Sequence, residues 1–273
     1  MYKALRARAK RSVPIHNAYR WIRNWLSPVV DPLYALRGLI GYPWFFTDWW
    51  HYARMPQAEP IRWIDTYPQL HDRTSTTPID AHYFYVNGWA ARRIISNRPA
   101  RHVDVASQTI FANLLGAVVP VMFLDYRPLK AHLSGLECVG ASMLQMPFAN
   151  GSVESISCLH VAEHIGLGRY GDPLNPQGTR QAAHELSRVL APGGNLYFAV
   201  PVGRPRLCFN GCRIHAADTI CQYFANLELI EFSGVHDNGR FVERVGLAEF
   251  SDSEYACGMF WLKKLGHSLK QVS

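Results

Sequence analysis

The sequence has no uninterrupted apolar stretch of about eighteen residues, the length that predicts a transmembrane helix. Asp31, Arg37 and Asp48 interrupt the best candidate. Its start also lacks the apolar segment and small-residue cleavage site that follow the basic residues of a secretory signal. We therefore expect a cytoplasmic protein.

Cysteine is too sparse for a disulfide framework, since six cysteines are spread over 273 residues and disulfide-rich domains are short and cysteine-dense. Several of the six lie in apolar, strand-like runs, as small buried residues do. The spacing of Cys208, Cys212, His215 and Cys221 matches none of the stronger zinc-binding patterns. We accordingly predict no metal ion.

Charged residues are also few, at 18% of the chain against 48% hydrophobic residues, which is typical of a folded protein and excludes extensive disorder. The formal net charge is +7. Positions 1–60 carry nine basic and three acidic residues, so nearly all of the excess positive charge lies near the start of the chain.

The segment 1–75 is rich in tryptophan, tyrosine and phenylalanine and predicts a helical extension. Tyr19, Ile22, Trp25 and Leu26 have helical spacing. Three prolines are expected to break this segment into short pieces: Pro28, Pro32 and Pro43.

This basic, aromatic extension has two interpretations. In one, residues 1–55 lie at a membrane surface, with aromatic side chains among the lipids and cationic side chains facing anionic headgroups, which gives peripheral contact at the inner membrane face. In the other, the extension packs its aromatic side chains on the protein core. No nucleic-acid-binding motif accompanies the basic residues, so we do not expect nucleic acid as a partner.

Residues 101–265 alternate between strand-like and helical segments, the order of an α/β fold. In open sheets of this kind, ligands bind beyond the carboxyl ends of parallel strands. The predicted strands are His102–Ser107, Val121–Leu124, Leu136–Gly140, Glu154–His160, Asn195–Val200, Leu227–Phe232 and Met259–Lys263. The predicted helices are Thr109–Leu115, Thr179–Leu190 (stopped by Pro192–Gly194) and Ala216–Phe224.

Three motifs follow one another in this region: Leu144–Phe148 (Leu-Gln-Met-Pro-Phe), His160–His164 (His-Val-Ala-Glu-His) and Arg188–Gly194 (Arg-Val-Leu-Ala-Pro-Gly-Gly). Together with the strand order, they make residues 80–265 resemble the class I S-adenosylmethionine-dependent methyltransferases. The string Leu159–Asp172 is more narrowly similar to the family called domain of unknown function 268.

The resemblance implies an α/β fold with a Rossmann-like methyltransferase sheet, mostly parallel with an antiparallel last strand, flanked by helices. It implies three regions: the helical extension 1–75, the methyltransferase-like domain 76–265 and a C-terminal tail 266–273.

The resemblance also implies S-adenosylmethionine as cofactor. A carboxylate at the tip of the second strand accepts ribose hydroxyls in such folds, which assigns this role to Asp125. After the first strand, the acidic residue is present as Asp104, but Ala106 and Gln108 replace glycines that let the family's backbone approach the cofactor. Ala141 stands where the family has an aspartate. The implied cofactor-binding residues are Asp104, Ala106, Ser107, Asp125, Ser142, Met143 and Leu159.

His160, Glu163 and His164 follow the fourth predicted strand. In the resembled family they face the methyl donor as catalytic residues: a histidine can deprotonate an acceptor hydroxyl because imidazole titrates near neutral pH, and Glu163 would orient it. A zinc hydrolase is an alternative, since histidines at i and i+4 of a helix can share a metal ion. A third interpretation is structural, with Glu163 stabilising a helix N-terminus.

A long, glycine-rich loop follows at 166–178 and has two interpretations, a binding loop or a surface connection. As a binding loop it offers Arg169, Tyr170 and Asp172 to an acceptor. Arg204, after the fifth strand, is a further candidate for substrate binding.

The sequence therefore predicts a methyltransferase that acts on an oxygen of a saccharide or another polar acceptor, a small molecule or glycan. The alternative is a non-catalytic, methyltransferase-like binding module with a degenerate cofactor site, which the residues at Ala106, Gln108 and Ala141 favour. A zinc hydrolase using His160, Glu163 and His164 ranks behind both.

Overall fold

The computed structural model describes residues 25–26 and 29–266, which form two compact units that divide between Pro78 and Ile79. The helix predicted around Tyr19 and Ile22 lies almost entirely outside the described residues. Within them, no helix combines the length and the apolar character that crossing a membrane requires.

From residue 29 onward, the first unit has a long helix, α1 (Pro32–Tyr52), and a 3-10 turn at Trp63–Asp65. The Asp31 side chain caps α1 by accepting hydrogen bonds from two backbone N–H groups of the first turn. Pro32 starts the helix, where its missing N–H group is no loss. Pro43 lies inside α1, so the prediction that it breaks the segment was wrong. An interior proline removes one backbone hydrogen bond, and the helix continues on both sides of it.

Within residues 79–266, the described part of the second unit, the chain forms ten strands and four α-helices. The strands are β1 (His102–Val105), β2 (Val121–Asp125), β3 (Leu136–Gly140), β4 (Val153–Leu159), β5 (Leu190–Val202), β6 (Arg206–Cys208), β7 (Cys212–Ile214), β8 (Glu228–Val235), β9 (Phe241–Val242) and β10 (Ala256–Lys263). The helices are α2 (Ala81–Asn97), α3 (Thr109–Gly116), α4 (Gly178–Val189) and α5 (Ala217–Tyr223).

Eight strands form one mixed sheet in the order β3-β2-β1-β4-β5-β10-β8-β9. Strands β1 to β5 pair in parallel, and β10 runs antiparallel between β5 and β8. β6 and β7 form a separate hairpin. The predicted fold class, a Rossmann-like methyltransferase sheet with an antiparallel last strand, is confirmed.

Most predicted boundaries lie a few residues from those of the structure. Helix α2 runs through both the aromatic segment His82–Tyr85 and the amphipathic segment Trp89–Ile95. Further along, α4 ends at Val189 and β5 begins at once. The Pro192–Gly194 segment therefore lies inside β5, where the pairing with β4 is irregular.

The sheet separates two apolar cores, since neighbouring side chains of a strand point to opposite faces. Phe198 of β5 packs in one core with Leu186 of α4. Tyr197, the preceding residue, packs in the other with Trp89 of α2 and Phe123 of β2. Helices thus cover both faces, and this burial leaves the strand ends as the place for polar side chains.

Strands β1, β2, β3 and β4 end side by side, at Val105, Asp125, Gly140 and Leu159. We call this edge of the sheet, with the residues that follow each strand, the carboxyl edge. Because the strands are parallel, the segments that were far apart in the sequence meet there.

Candidate functional site

The chain after β4 forms a tight turn at the carboxyl edge. His160 has a left-handed backbone (φ 57°), which costs a non-glycine residue about 1 kcal/mol or more. The Ala162–His164 segment that follows is a three-residue 3-10 turn. His160 and His164 therefore do not share the face of an α-helix, and the geometry that the zinc-hydrolase interpretation requires is not formed.

Glu163 is the centre of this turn and is only 1% exposed. Its Oε1 lies 3.2 Å from Nδ1 of His160 and 3.7 Å from Nε2 of His164. Its Oε2 is buried and has no hydrogen-bond partner among the described residues. An unpaired buried oxygen carries a penalty of about 1–3 kcal/mol, so Oε2 is an acceptor suited to a water molecule or a bound ligand.

His164 is fixed by the β6–β7 hairpin. Its Nδ1 donates a 2.6 Å hydrogen bond to the carbonyl oxygen of Gly211, which assigns the proton to Nδ1 and leaves the lone pair on Nε2. Burial lowers the pKa of His164, although the charge of Glu163 opposes this. The ring is therefore neutral near pH 7 and able to accept a proton.

Both ring nitrogens of His160 are already engaged. Nδ1 contacts Glu163, and Nε2 lies 3.2 Å from Sγ of Cys257 on β10. Burial alone would lower the pKa of His160, but the Cys257 sulfur and the Glu163 carboxylate raise it above its ordinary value. Since the His160 side chain is only 4% exposed, His164 is the better placed of the two histidines to act as a base.

Hydrogen bonds hold the 166–178 loop, some within the loop and some from Arg213 of β7. Asp172 accepts hydrogen bonds from the backbone N–H groups of Gly166, at 2.6 Å, and Tyr170, at 3.3 Å. Arg213 donates to the carbonyl oxygens of Ile165 and Asn175. Asp172 therefore shapes the loop, and its contact with an acceptor remains a prediction.

Arg169 and Tyr170 lie next to His164, as a binding role requires. Arg169 donates a 3.2 Å hydrogen bond to the Gly211 carbonyl oxygen. The Tyr170 ring lies 5.9 Å from the His164 ring and 4.4 Å from the guanidinium of Arg127, which follows β2. The loop thus connects the ends of β2 and β4. Arg204 is elsewhere engaged, in an exposed ion pair of 3.1 Å with Glu254.

Asp104 is fully buried between β1 and β4. Its carboxylate accepts hydrogen bonds from the Ser157 hydroxyl and, at 3.1 Å, from the Ser107 backbone N–H. Burial raises the pKa of Asp104 to about 6, which hydrogen bonds from Ser157 and Ser107 only partly offset. The Ser107 hydroxyl in turn accepts from the Leu159 N–H at 3.1 Å. These three predicted cofactor residues join the two strands and position the loop rather than presenting side chains at the surface.

Ala106 and Gln108 show how the departures from the family's glycines are accommodated. Ala106 adopts the left-handed conformation (φ 54°) that glycine favours. The Gln108 side chain is directed to α2, where its Oε1 accepts a 2.8 Å hydrogen bond from Asn87. The loop has therefore kept a glycine-like path at Ala106.

Asp125 ends β2, and its side chain is 19% exposed. One carboxylate oxygen accepts a 2.7 Å hydrogen bond from the Arg127 backbone N–H, which fixes the carboxylate at the carboxyl edge. The Ser142 hydroxyl accepts from the Leu144 N–H at 3.2 Å. Met143 is buried in the apolar core, and its contact with the cofactor remains a prediction.

Two surface depressions of about 430 and 600 Å³ lie beside β3 and the opposite ends of β1 and β2. Residues such as Pro120, Leu136 and Glu137 line them, and the predicted site residues do not. The candidate site is accordingly defined by the polar side chains of the carboxyl edge.

Three residues near Glu163 were missed as site residues. His82 and Cys257 lie against His160, and the His215 ring is buried with an unpaired Nε2. Long stretches of sequence separate them, so no spacing could have associated them.

Comparison with known proteins gives one family match. The model of the family described as "Caenorhabditis protein of unknown function, DUF268" matches residues 129–265. No curated protein sequence matches the chain. Among solved structures, the N-methyltransferase NodS from Bradyrhizobium japonicum WM9, in complex with S-adenosylhomocysteine, is 15% identical, with 66% of this chain and 86% of that chain covered and a TM-score of 0.49.

A second similar structure is the 1,6-didemethyltoxoflavin-N1-methyltransferase from Burkholderia thailandensis, with bound 1,6-didemethyltoxoflavin and S-adenosylhomocysteine. It is 11% identical, with 68% of this chain and 79% of that chain covered, and its TM-score is 0.49.

Proposed function

The chain belongs to the DUF268 family, and we propose that its second unit transfers a methyl group from S-adenosylmethionine to a hydroxyl oxygen of a saccharide or another polar acceptor. One observation carries the proposal. The same edge of a methyltransferase-like sheet carries Asp125, at the end of β2, and the Glu163–His164 pair, after β4. The Tyr170 ring contacts Arg127, which follows β2, and His164, which follows β4.

Asp125 is suited to the ribose of the cofactor, because a carboxylate at this strand end can accept two hydroxyl groups. The Ala106 loop, with its left-handed backbone, would lie along the methionine part. The cofactor supplies a methyl group on a positively charged sulfur, so the protein has only to align the acceptor and to remove its proton.

His164 is the residue that takes this proton in the proposal. As the acceptor oxygen bonds to the methyl carbon, the carbon–sulfur bond breaks, S-adenosylhomocysteine leaves, and the hydroxyl proton moves to Nε2 of His164. The resulting imidazolium lies 3.7 Å from Glu163, whose negative charge favours the protonated ring. In this proposal Arg169 and Tyr170, which lie beside His164, contact the acceptor.

The test is acceptor-dependent formation of S-adenosylhomocysteine. The full chain is incubated with methyl-labelled S-adenosylmethionine and with free or lipid-linked saccharides, and label is sought in the acceptor. We expect labelled acceptor and S-adenosylhomocysteine in equal amounts. Cofactor binding without transfer to any acceptor would contradict catalysis and favour the second candidate function.

That second candidate is a non-catalytic module that binds an adenosyl ligand. Ala106 and Asp104 favour it. The Cβ of Ala106 stands where the family's backbone approaches the cofactor without one, and Asp104 is fully buried and hydrogen-bonded to Ser157 and Ser107, so its carboxylate does not reach a ligand. In this case neither the wild type nor His164→Gln methylates any acceptor, and both bind S-adenosylhomocysteine with the same affinity.

The exposed face of α1 supports peripheral contact with a membrane. Leu36, Leu39 and Ile40 are each more than half exposed and share one helix face. Exposed Phe46 and Trp50 continue this apolar stripe, and Arg54 lies 3.6 Å over the Trp50 ring. Aromatic and cationic side chains in this arrangement fit the interface of an anionic bilayer, where a lipid-linked acceptor would be found.

A further inference from the structure

We propose that His82, His160 and Cys257 bind a zinc ion. The three residues come from the start of α2, the end of β4 and the start of β10. The fold brings one ligand atom of each to within 4.8 Å of the others. Two imidazole nitrogens and one thiolate form a ligand set that zinc prefers. This inference does not depend on methyl transfer.

The His160–Cys257 pair is close to the geometry of a formed site. Nε2 of His160 and Sγ of Cys257 are 3.2 Å apart, whereas tetrahedral zinc would hold a nitrogen and a sulfur about 3.6 Å apart. His82 is less well oriented, since its ring is stacked on that of His160 with centroids 5.6 Å apart and an angle of 12° between the planes. The nitrogen lone pairs of an imidazole lie in the ring plane, so His82 has to turn its ring toward Cys257 to complete the set.

Glu163 provides the support that a metal-bound histidine needs. Its Oε1 lies 3.2 Å from Nδ1 of His160, so the Nδ1–H donates to the carboxylate and Nε2 is directed to Cys257. Metal-binding histidines usually donate their second N–H to a carboxylate or carbonyl in this way. The left-handed backbone of His160 is the kind of local strain that accompanies functional sites.

The site is shielded, as a stable zinc site should be. Cys257 has no exposed surface and His160 very little, and the His82 ring lies between His160 and the ring of Tyr255. Three protein ligands leave a fourth tetrahedral position for water. A zinc ion here would join α2, β4 and β10 and hold the turn that carries Glu163 and His164.

The first test is metal content and cobalt spectroscopy of the full chain. Protein expressed with zinc and without a histidine tag is analysed for bound metal, and we expect about one zinc per chain. Chelator-treated protein is then titrated with Co²⁺, which should give the absorption of tetrahedral cobalt and a thiolate-to-cobalt charge-transfer band. If His82, His160 and Cys257 are accessible and the protein binds neither zinc nor cobalt, the proposal is overturned.

Variants separate this site from chance binding. Cys257→Ser should remove the charge-transfer band, whereas Cys221→Ser, a half-buried cysteine on α5, should retain it. Glu163→Gln should weaken zinc binding about 10- to 100-fold. If Cys257→Ser does not fold, His82→Gln, at a less buried position, decides by loss of stoichiometric zinc. Unchanged spectra in these variants mean that the metal lies elsewhere. S-adenosylhomocysteine affinity, measured on the same samples, reports the methyltransferase proposal separately.

Discussion

Nδ1 of His164 donates a 2.6 Å hydrogen bond to the main-chain carbonyl oxygen of Gly211. This bond joins the turn after β4 to the β6–β7 hairpin and leaves Nε2 of His164 3.7 Å from Oε1 of Glu163 and 3.5 Å from Nη1 of Arg169. Because the acceptor is a backbone atom, the ring orientation depends on the path of the hairpin. The hairpin is therefore part of the catalytic arrangement that we propose.

His164→Gln should reduce the rate of methyl transfer about 10²- to 10⁴-fold, the usual contribution of a general base. Glutamine retains a donor for the Gly211 carbonyl but cannot accept the hydroxyl proton. The affinity for S-adenosylhomocysteine should remain unchanged, since His164 acts on the acceptor. The measurement compares kcat with the cofactor Kd in both proteins.

The matched control is His184→Gln, which changes an exposed histidine on α4. It should leave kcat and the cofactor Kd at the wild-type values. Equal rates for His164→Gln and His184→Gln would show that His164 is not the base.

Ala106→Gly should stabilise the protein by about 0.5–1 kcal/mol. Relief of the left-handed alanine contributes about 1–2 kcal/mol, and the greater freedom of glycine in the unfolded chain removes about 0.4–1 kcal/mol of that. Removing the Cβ should also strengthen S-adenosylhomocysteine binding several-fold. Ala117→Gly, at an ordinary helical φ of −73°, should instead destabilise the protein. Denaturant unfolding of both variants checks the signs.

Asp104→Asn should change how stability depends on pH. The folded-state pKa of Asp104 is raised from 3.8 to about 6 by burial, so the folded protein holds the proton more tightly than the unfolded chain. The contribution of Asp104 is therefore fully present below about pH 4 and is lost as pH rises to about 6.

The expected size of this loss is roughly 3 kcal/mol, from a shift of about two pH units. Asparagine does not titrate, so Asp104→Asn does not show this loss of stability, while His102 and all other titratable groups are the same in both proteins. Urea unfolding at pH 4, 5, 6 and 7 should show Asp104→Asn gaining on the wild type as pH rises. A constant difference across this range would contradict a raised pKa.

Leu39→Glu and Ile40→Glu on α1 should each weaken binding to anionic vesicles about tenfold, because each removes an exposed apolar side chain and adds a negative charge. Leu114→Glu, on α3 in the second unit, is the matched control because Leu114 is equally exposed. Flotation of the full chain with anionic and neutral vesicles is the measurement. Recovery of the wild type and all variants in the unbound fraction would exclude the membrane proposal.

Much of the fold followed from the sequence because its signals are local. The bounds of β3 (Leu136–Gly140) were predicted correctly at both ends, because a short apolar run between turn residues is typical of a strand. Pro43 was misjudged because a proline inside a helix removes only one backbone hydrogen bond. The Pro192–Gly194 segment was predicted to stop a helix, but it lies inside β5, where the pairing with β4 is irregular. That pairing depends on β4, which is distant in the sequence.

The site was less predictable, because it depends on contacts between distant segments. The HVAEH motif drew attention to Glu163 and His164, and the helix of the zinc-hydrolase alternative is not formed because His160 has a left-handed backbone. Asp104 matched the family pattern, yet its burial against Ser157 could not be inferred from β1 alone. Cys257 gave no sign of lying beside His160, since 97 positions separate them.

The central claim is that the carboxyl edge binds an adenosyl cofactor at Asp125, and calorimetric titration with S-adenosylhomocysteine tests it most directly. We expect saturable binding to the wild type and to Asp218→Ala, which removes an exposed carboxylate on α5. Asp125→Ala should lose at least about tenfold in affinity, because a charged acceptor of two hydroxyl groups contributes about 1.5–3 kcal/mol. The absence of binding heat to the wild type at millimolar ligand, or equal affinity for Asp125→Ala, would contradict the account.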